Sequence, residues 1–172
     1  GPDVRGAHLR FERLGDALDL IVHLVDDTGQ DTGDELTVVN QFWAINTWVF
    51  GVHWLDRIER FVFDDGTYLA EGDVMRLTVE QAKTDREDAI FGFHFPDRLD
   101  GGLANDYLSG GDEGDEYIFA RGYGHDVVED NLVDFLSASC DTLRIQGVAP
   151  ADIDLLRDGS ELTITLAVRG TE

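Results

Sequence analysis

Between residues 84 and 126 aspartate returns at one fixed interval. Asp88, Asp97, Asp106 and Asp115 are each nine residues apart, and two places after each stands an apolar residue: Ile90, Leu99, Leu108 and Tyr117. Gly92, Gly101 and Gly110 keep the same interval. Three residue types held in one phase are very unlikely to arise by chance, and self-similarity at a fixed period points to a repeat architecture.

The nonapeptide G-G-x-G-x-D-x-U-x, with U apolar, is a calcium-binding repeat of parallel β-helices. Its first six residues form a turn in which glycine takes backbone angles that other residues resist. Carbonyls of the turn point toward a common centre, the aspartate at position six adds a carboxylate, and the last three residues form a short strand with U facing inward. Two repeats complete one coil. The Asp88, Asp106 and Asp126 turns are therefore expected to stack on one side, and the Asp97 and Asp115 turns on the other. A calcium ion between turns n and n+2 would collect about six hard oxygens, as this cation prefers. Without metal the stacked carboxylates repel one another, so folding of the segment is expected to depend on the ion.

The charge agrees with a cationic ligand. The chain has 172 residues and a net charge of −23, from 36 acids against 13 bases. Residues 84–130 alone hold 13 acids against three arginines. Such a balance argues against nucleic acid and anionic membrane as partners. Hydrophobic residues make up 42% of the chain, enough for a folded core, so the charge does not imply disorder. No apolar run approaches the ~20 residues of a membrane-spanning helix. The single cysteine, Cys140, excludes an internal disulfide framework and reads as a small buried hydrophobe. Gly1-Pro2 has the form of a protease remnant, so residues 1–7 read as linker and the chain as a piece of a longer protein.

Around the repeats the chain reads as strands and turns. "LRFERLGDALDLIV" is two short runs about Leu14-Gly15-Asp16, "DELTVVNQF" follows, and "IERFVFDDGTYL" turns at Asp65-Gly66. "LTVEQAKTD" is the one candidate helix of this half, and "APADIDLL" or "NLVDFLSA" could hold a short helical piece later. Residues 9–22 align with 153–166 at a constant offset of 144, placing Arg13 on Arg157, Gly15 on Gly159 and Leu18 on Leu162. Either one period of a tandem array is present, or two glycine-turn hairpins align by their shared pattern.

The nonapeptides resemble the RTX (haemolysin-type) calcium-binding repeats of secreted bacterial proteins. "DEYIFARGYGHDVVED" with "DTLRIQGVAPADIDLLRDGSELTITL", and the strand-rich segment before the repeats, are similar to the haemolysin-type calcium-binding-related domain. The resemblance implies calcium as cofactor, a parallel β-roll, and type I export to a calcium-rich exterior, hence a secreted or cell-surface location.

The repeats also depart from the family pattern. Position four should be glycine but is Arg86, Phe95, Ala104 and Glu113 in the in-phase repeats, and Pro96 disturbs the Asp97 turn. Gly122-Tyr123-Gly124-His125-Asp126 keeps the glycine, although Asp126 lies 11 residues after Asp115. The best pair of turns is therefore Gly101-Gly102-Leu103-Ala104-Asn105-Asp106 with Gly122–Asp126, and one to three ions are expected. Metal candidates are Asp88, Asp97, Gly101, Gly102, Ala104, Asp106, Gly110, Gly111, Asp115, Gly122, Gly124 and Asp126. A degenerate roll that keeps its shape without metal is the alternative.

His8, His23, His53, His94 and His125 lack metal-ligand spacing and read as surface or core residues. No Ser-His-Asp arrangement is suggested, so no catalytic residue is assigned. Trp43, Trp48 and Trp54 lie in the aromatic run of residues 42–54, which reads as packing or as a platform for a cell-surface glycan or protein. The expectation is an all-β protein: a strand-rich unit over 8–80, a short parallel β-roll over 84–130, and a solenoid-like unit over 131–172 that restarts the first. Its expected role is a non-catalytic, calcium-stabilised structural or adhesion module, with neighbouring repeats of the same chain as partners. Two alternatives are the carrier portion of a secreted enzyme or toxin, and a binding module that uses the aromatic run.

Overall fold

The computed structural model describes residues 8–42, 57–130 and 140–167, and the backbone alone at 44–47 and 51–54. The described residues are mostly β, with one α-helix among them. Strands β1 (Leu9–Glu12), β2 (Leu20–Val25) and β3 (Asp31–Val38) form an antiparallel sheet in that order. Leu9 and Phe11 alternate inward on β1 and meet Leu20 and Val22 from β2 in the core. The alternation is what puts all four on one face. The connection turns where the sequence places it, with Gly15 in the left-handed region at φ 60°. The outer strand β3 is exposed along most of its length and carries Asp31, Asp34 and Glu35, charges that discourage further strand pairing at an edge.

Two antiparallel pairs follow: β4 (Ala44–Thr47) with β5 (Gly51–Trp54), and β6 (Arg60–Val62) with β7 (Tyr68–Ala70). Gln41 is fully buried and ties this region together. Its amide donates to the Ile58 carbonyl and accepts from the Ile58 N–H, each at 2.9 Å, so both polar ends are satisfied inside the core. The β6–β7 turn uses Asp65, whose Oδ1 accepts from the backbone N–H of Thr67 at 2.8 Å and from its hydroxyl at 2.6 Å.

Helix α1 spans Glu71–Ala82, so the helical piece seen in "LTVEQAKTD" begins earlier and is longer than that stretch indicates. Its start is set by Asp73, whose carboxylate accepts from the Ala70 N–H at 3.0 Å, and by acids in the first turn that suit the helix N-terminus. Val74, Met75, Thr78 and Val79 form its buried stripe, which packs on β1 and on the first strands of the repeat segment. Gln81 accepts from the Phe11 N–H at 2.7 Å and so joins the helix to the N-terminal sheet.

The repeat segment supplies β8 (Ala89–Phe91), β9 (Arg98–Asp100), β10 (Tyr107–Ser109), β11 (Glu116–Ala120) and β12 (Val127–Val128). With β13 (Thr142–Gln146) they form two parallel sheets, β8–β10–β12 and β9–β11–β13. Successive strands therefore alternate between sheets. The pairing of Tyr107 with Ala89 and of Glu116 with Arg98 makes the offset within a sheet two nonapeptides. Ile90, Leu99, Leu108 and Tyr117, the apolar residues of the repeat, are all buried between the sheets. Burial stops at the far end, where Val128 and Leu143 are 43% and 41% exposed.

Strands β14 (Ile153–Asp158) and β15 (Glu161–Leu166) form an antiparallel hairpin that turns at Gly159, φ 63°. Both segments aligned at the 144-residue offset are thus hairpins, but their registers differ. Ile153 pairs with Leu166, whereas the equivalent Leu9 pairs with Leu24 and not with Val22. A slip of two residues keeps side chains on the same faces. Two local expectations change. Cys140 is exposed, because it lies just before β13 and outside the core. In "APADIDLL" the helical character is confined to the 3₁₀ turn Pro150–Asp152, since the branched and alternating residues after it continue as β14. "NLVDFLSA" and the linker 1–7 lie outside the described residues.

Leu99 is fully buried between the two parallel sheets. Leu99→Ala is expected to lower unfolding stability by about 2–5 kcal/mol, a loss set by the cavity left behind, and chemical denaturation measures it.

Candidate metal centre

The aspartates of the repeats are bound to one another in series. The backbone N–H of Asp88 donates to Oδ1 of Asp106 at 2.9 Å, and that of Asp106 donates to Oδ1 of Asp126 at 3.1 Å. On the other row the N–H of Asp97 donates to Oδ1 of Asp115 at 2.8 Å. Asp115 in turn donates to Oδ1 of Asp141 at 3.0 Å. The carbonyls complete the link in the opposite direction: Asp88 accepts from Tyr107 N–H, and Asp97 from Glu116 N–H. Each carboxylate thus holds the turn one coil earlier, and the strand that follows it continues the parallel ladder.

The turns are not all alike. Positions two and four are both left-handed in three of them: Gly102 and Ala104 at φ 91° and 86°, Gly111 and Glu113 at 103° and 69°, Gly122 and Gly124 at 88° and 105°. The missing glycines of position four therefore do not abolish the turn, because Ala104 and Glu113 adopt the conformation at a cost of about 1–2 kcal/mol each. Neither Phe93 nor Phe95 of the Asp97 turn is left-handed, nor are Thr84 and Arg86 of the Asp88 turn. The two complete turns that stack on one side are 101–106 and 121–126. A Cβ on Gly124 would collide with the Ala104 carbonyl, so that carbonyl is directed at the next turn.

Three carboxylate oxygens in these turns are buried and have no hydrogen-bond partner: Oδ2 of Asp106, of Asp115 and of Asp126. A Cβ on Gly101 would collide with Oδ2 of Asp106, and one on Gly110 with Oδ2 of Asp115, so these two orphaned oxygens are turned toward the first glycine of their own turns. A buried ionised acceptor left in this state costs several kcal/mol unless a cation meets it. Burial accordingly pushes the Asp106 and Asp126 carboxyls up, each further raised by its negative neighbours on the row. Burial also pushes Asp97 up to about 6 and Asp115 to about 7. The donor set is oxygen only, with one carboxylate per turn and carbonyls around it, which fits a hard cation of the calcium type. Among the described residues no three or more Asp, Glu, His or Cys side chains converge as a metal cluster. An open groove of about 410 Å³ is lined in part by Asp88, Asn105, Asp106 and His125.

The remaining candidates divide. The Asp88 carboxylate is occupied within its own turn, accepting from the Thr84 N–H at 2.6 Å and from its hydroxyl at 2.8 Å. Asp97 accepts from the Phe93 N–H at 2.6 Å. Gly111 packs against the Phe93 carbonyl and Gly122 borders open space. Asp141 was not singled out by spacing, because it follows Asp115 by 26 residues. The signal that identifies it is the triplet Asp141-Thr142-Leu143, which matches Asp115-Glu116-Tyr117 in type. Trp43 and Trp48 lie outside the described residues, and Trp54 is placed by its backbone at the end of β5. His94 pairs with Asp112 across one coil, and His23 is buried near Glu12 and Asp31.

Residues 19–71 match the family model of the haemolysin-type calcium binding protein related domain. The match lies in the strand-rich segment that precedes the repeats, where the sequence resembles that domain. No curated protein and no solved structure matches the chain.

Two outcomes are expected of the metal-free protein. Asp97 and Asp115 hold protons in the folded state that the unfolded chain, at about pKa 3.8, has released. This stabilisation is present below pH 4 and is lost as pH rises through 6 to 7. The melting temperature in chelator should therefore fall between pH 5 and pH 8, which calorimetry tests directly. Separately, Ala104→Gly removes a left-handed alanine and should raise stability by about 1 kcal/mol, read from the denaturation midpoint.

Proposed function

We propose that this chain is a calcium-binding, calcium-stabilised structural module of a secreted or surface bacterial protein, without catalytic activity of its own. In this reading the two parallel sheets are a short β-roll, with calcium held between stacked turns. The observation that carries it is the pair of orphaned oxygens, Oδ2 of Asp106 and Oδ2 of Asp126, in the stacked turns with two left-handed residues each. Those two carboxylates, with the Ala104 carbonyl and the other backbone oxygens of the turns, would hold the ion. Bound calcium would supply the positive charge that compensates stacked carboxylates. The chain's own residues do the rest: Asp88 and Asp106 N–H groups fix the carboxylates that receive them, and the buried apolar ladder keeps the coils in register.

Calcium dependence follows from mass action, because an ion that binds only the folded state stabilises it in proportion to the logarithm of its concentration. A scaffold, spacer or adhesion segment that stiffens outside the cell is the role this supports. The match at residues 19–71 supports calcium binding, and the acidic excess supports a cation as ligand. The chain's calcium-rich setting, export route and surface partner belong to this proposal.

The test is a calcium titration of the metal-stripped protein by calorimetry and circular dichroism, with magnesium as control. Saturable binding of at least one calcium ion, with a raised melting temperature, is expected. Asp106→Asn or Asp126→Asn should weaken it tenfold or more, since each removes an ionised ligand. Absence of binding at millimolar calcium, with the fold complete in chelator, would overturn the reading.

A further inference from the structure

The Asp97 turn differs from the Asp115 turn that follows it on the row in two respects. It lacks left-handed residues at positions two and four, and it receives a side chain from another part of the fold. Arg13, in the loop between β1 and β2, reaches it from 79 positions earlier in the chain. Its Nη1 donates to the Gly92 carbonyl at 3.0 Å, while Nε donates to Ala17 O at 2.7 Å. The guanidinium lies over two aromatic rings, 4.9 Å from the Phe93 centroid and 5.6 Å from that of Phe42. Those rings are themselves packed at 4.7 Å. A guanidinium held by two carbonyls and two ring faces is fixed in place, and its flat, weakly hydrated charge tolerates this setting where an ammonium would lose more hydration.

Gly92 is where the Asp97 carboxylate returns. A Cβ on Gly92 would meet both Oδ2 of Asp97 and the Gly110 carbonyl of the next turn on that row. Burial lowers the pKa of the Arg13 guanidinium, and Asp16 first and Asp97 second favour its charged form; Arg13 in turn favours the charged form of Asp97 against that carboxyl's own burial. The contrast with Arg157, which holds the same place in the second hairpin, is instructive. Its Nε also bonds back to its own turn, at Gly159 O, 3.0 Å, yet it is exposed. The back-bond thus recurs in both hairpins, and the reach into a repeat turn is what distinguishes Arg13.

We propose that Arg13 is the resident cation of the Asp97 turn: bonded to the Gly92 carbonyl and stacked on Phe42 and Phe93, it supplies the positive charge there, so metal is taken only by later turns. The first clause stands on geometry alone, and the last clause rests on the calcium reading above. Arg13 is thereby a positioning residue that starts the row without metal and sets how many ions it takes.

The test compares Arg13→Met, Arg13→Lys, Asp97→Asn and the double variant R13M/D97N in the full chain. Melting temperature is read in chelator and in saturating calcium, and calcium stoichiometry by calorimetry. Arg13→Met is expected to lower the melting temperature in chelator and to bind one calcium ion more than the parent, because the Asp97 turn then lacks its resident cation. Adding Asp97→Asn should recover much of that loss, because the uncompensated carboxylate is then gone, and Arg13→Lys should lie nearest the parent. If Arg13→Met does not fold, recovery of folding in R13M/D97N carries the same meaning. Failure of Asp97→Asn to recover Arg13→Met would overturn the proposal and leave Arg13 as aromatic packing. In a parent that binds calcium, an unchanged ion count in Arg13→Met would overturn the last clause, since Arg13 would then not be what keeps metal from the Asp97 turn. The recovery in chelator does not involve calcium, so it is decided even if the parent protein binds none.

Discussion

The structure of the repeat segment depends on one hydrogen bond used over and over: an aspartate carboxylate accepting the backbone N–H of the aspartate one coil earlier. Strands of two to five residues give few ladder bonds, and parallel pairing is slightly weaker per residue than antiparallel. The turns must therefore hold their own spacing, and the Oδ1 contacts do so. The consequence is electrostatic. A side chain that fastens each coil through one oxygen stacks like charges and leaves the second oxygen buried at Asp106, Asp115 and Asp126. The acid row is both the fastening of the coils and the reason they call for a cation.

What closes the near end of the sheets is the strand-rich unit before them. Helix α1 lays its stripe of Val74, Met75, Thr78 and Val79 on the first coil, and the β1–β2 hairpin packs behind it. The unit that matches the haemolysin-type related family model thus shares one core with the repeats. At the other end Val128 and Leu143, the equivalents of the buried Leu108 and Tyr117, are partly exposed. The core is consequently densest where the first coils meet the helix, and it thins along the row.

Much of this was legible because the repeat phase is local. The inward residues Ile90, Leu99, Leu108 and Tyr117 follow from a nine-residue interval, and so does the division of aspartates into two rows. Asp141 escaped because a longer insertion separates it from Asp115, and an interval cannot be followed across a break in its own period. The start of helix α1 was hidden for a different reason. Its buried stripe is narrow and flanked by polar residues, so the pattern strengthens only once the helix has a surface to cover. The hairpin registers were equally out of reach, since a slip of two residues leaves the alternation unchanged.

That turns and strands alternate every nine residues, that acids outnumber bases and that oxygen ligands are the plentiful ones was legible before any folding. These are properties of composition and spacing, readable without any partner. Which turns are equivalent depends on the packed fold. Ala104 and Glu113 take the left-handed conformation while Phe95 does not, although none of the three is glycine. The difference comes from neighbours distant in sequence: at the first turn Phe93 is drawn into the core against Phe42, and Arg13 arrives from the β1–β2 loop. Backbone strain and burial of charge are settled by what packs around a residue, and that is not written in its spacing.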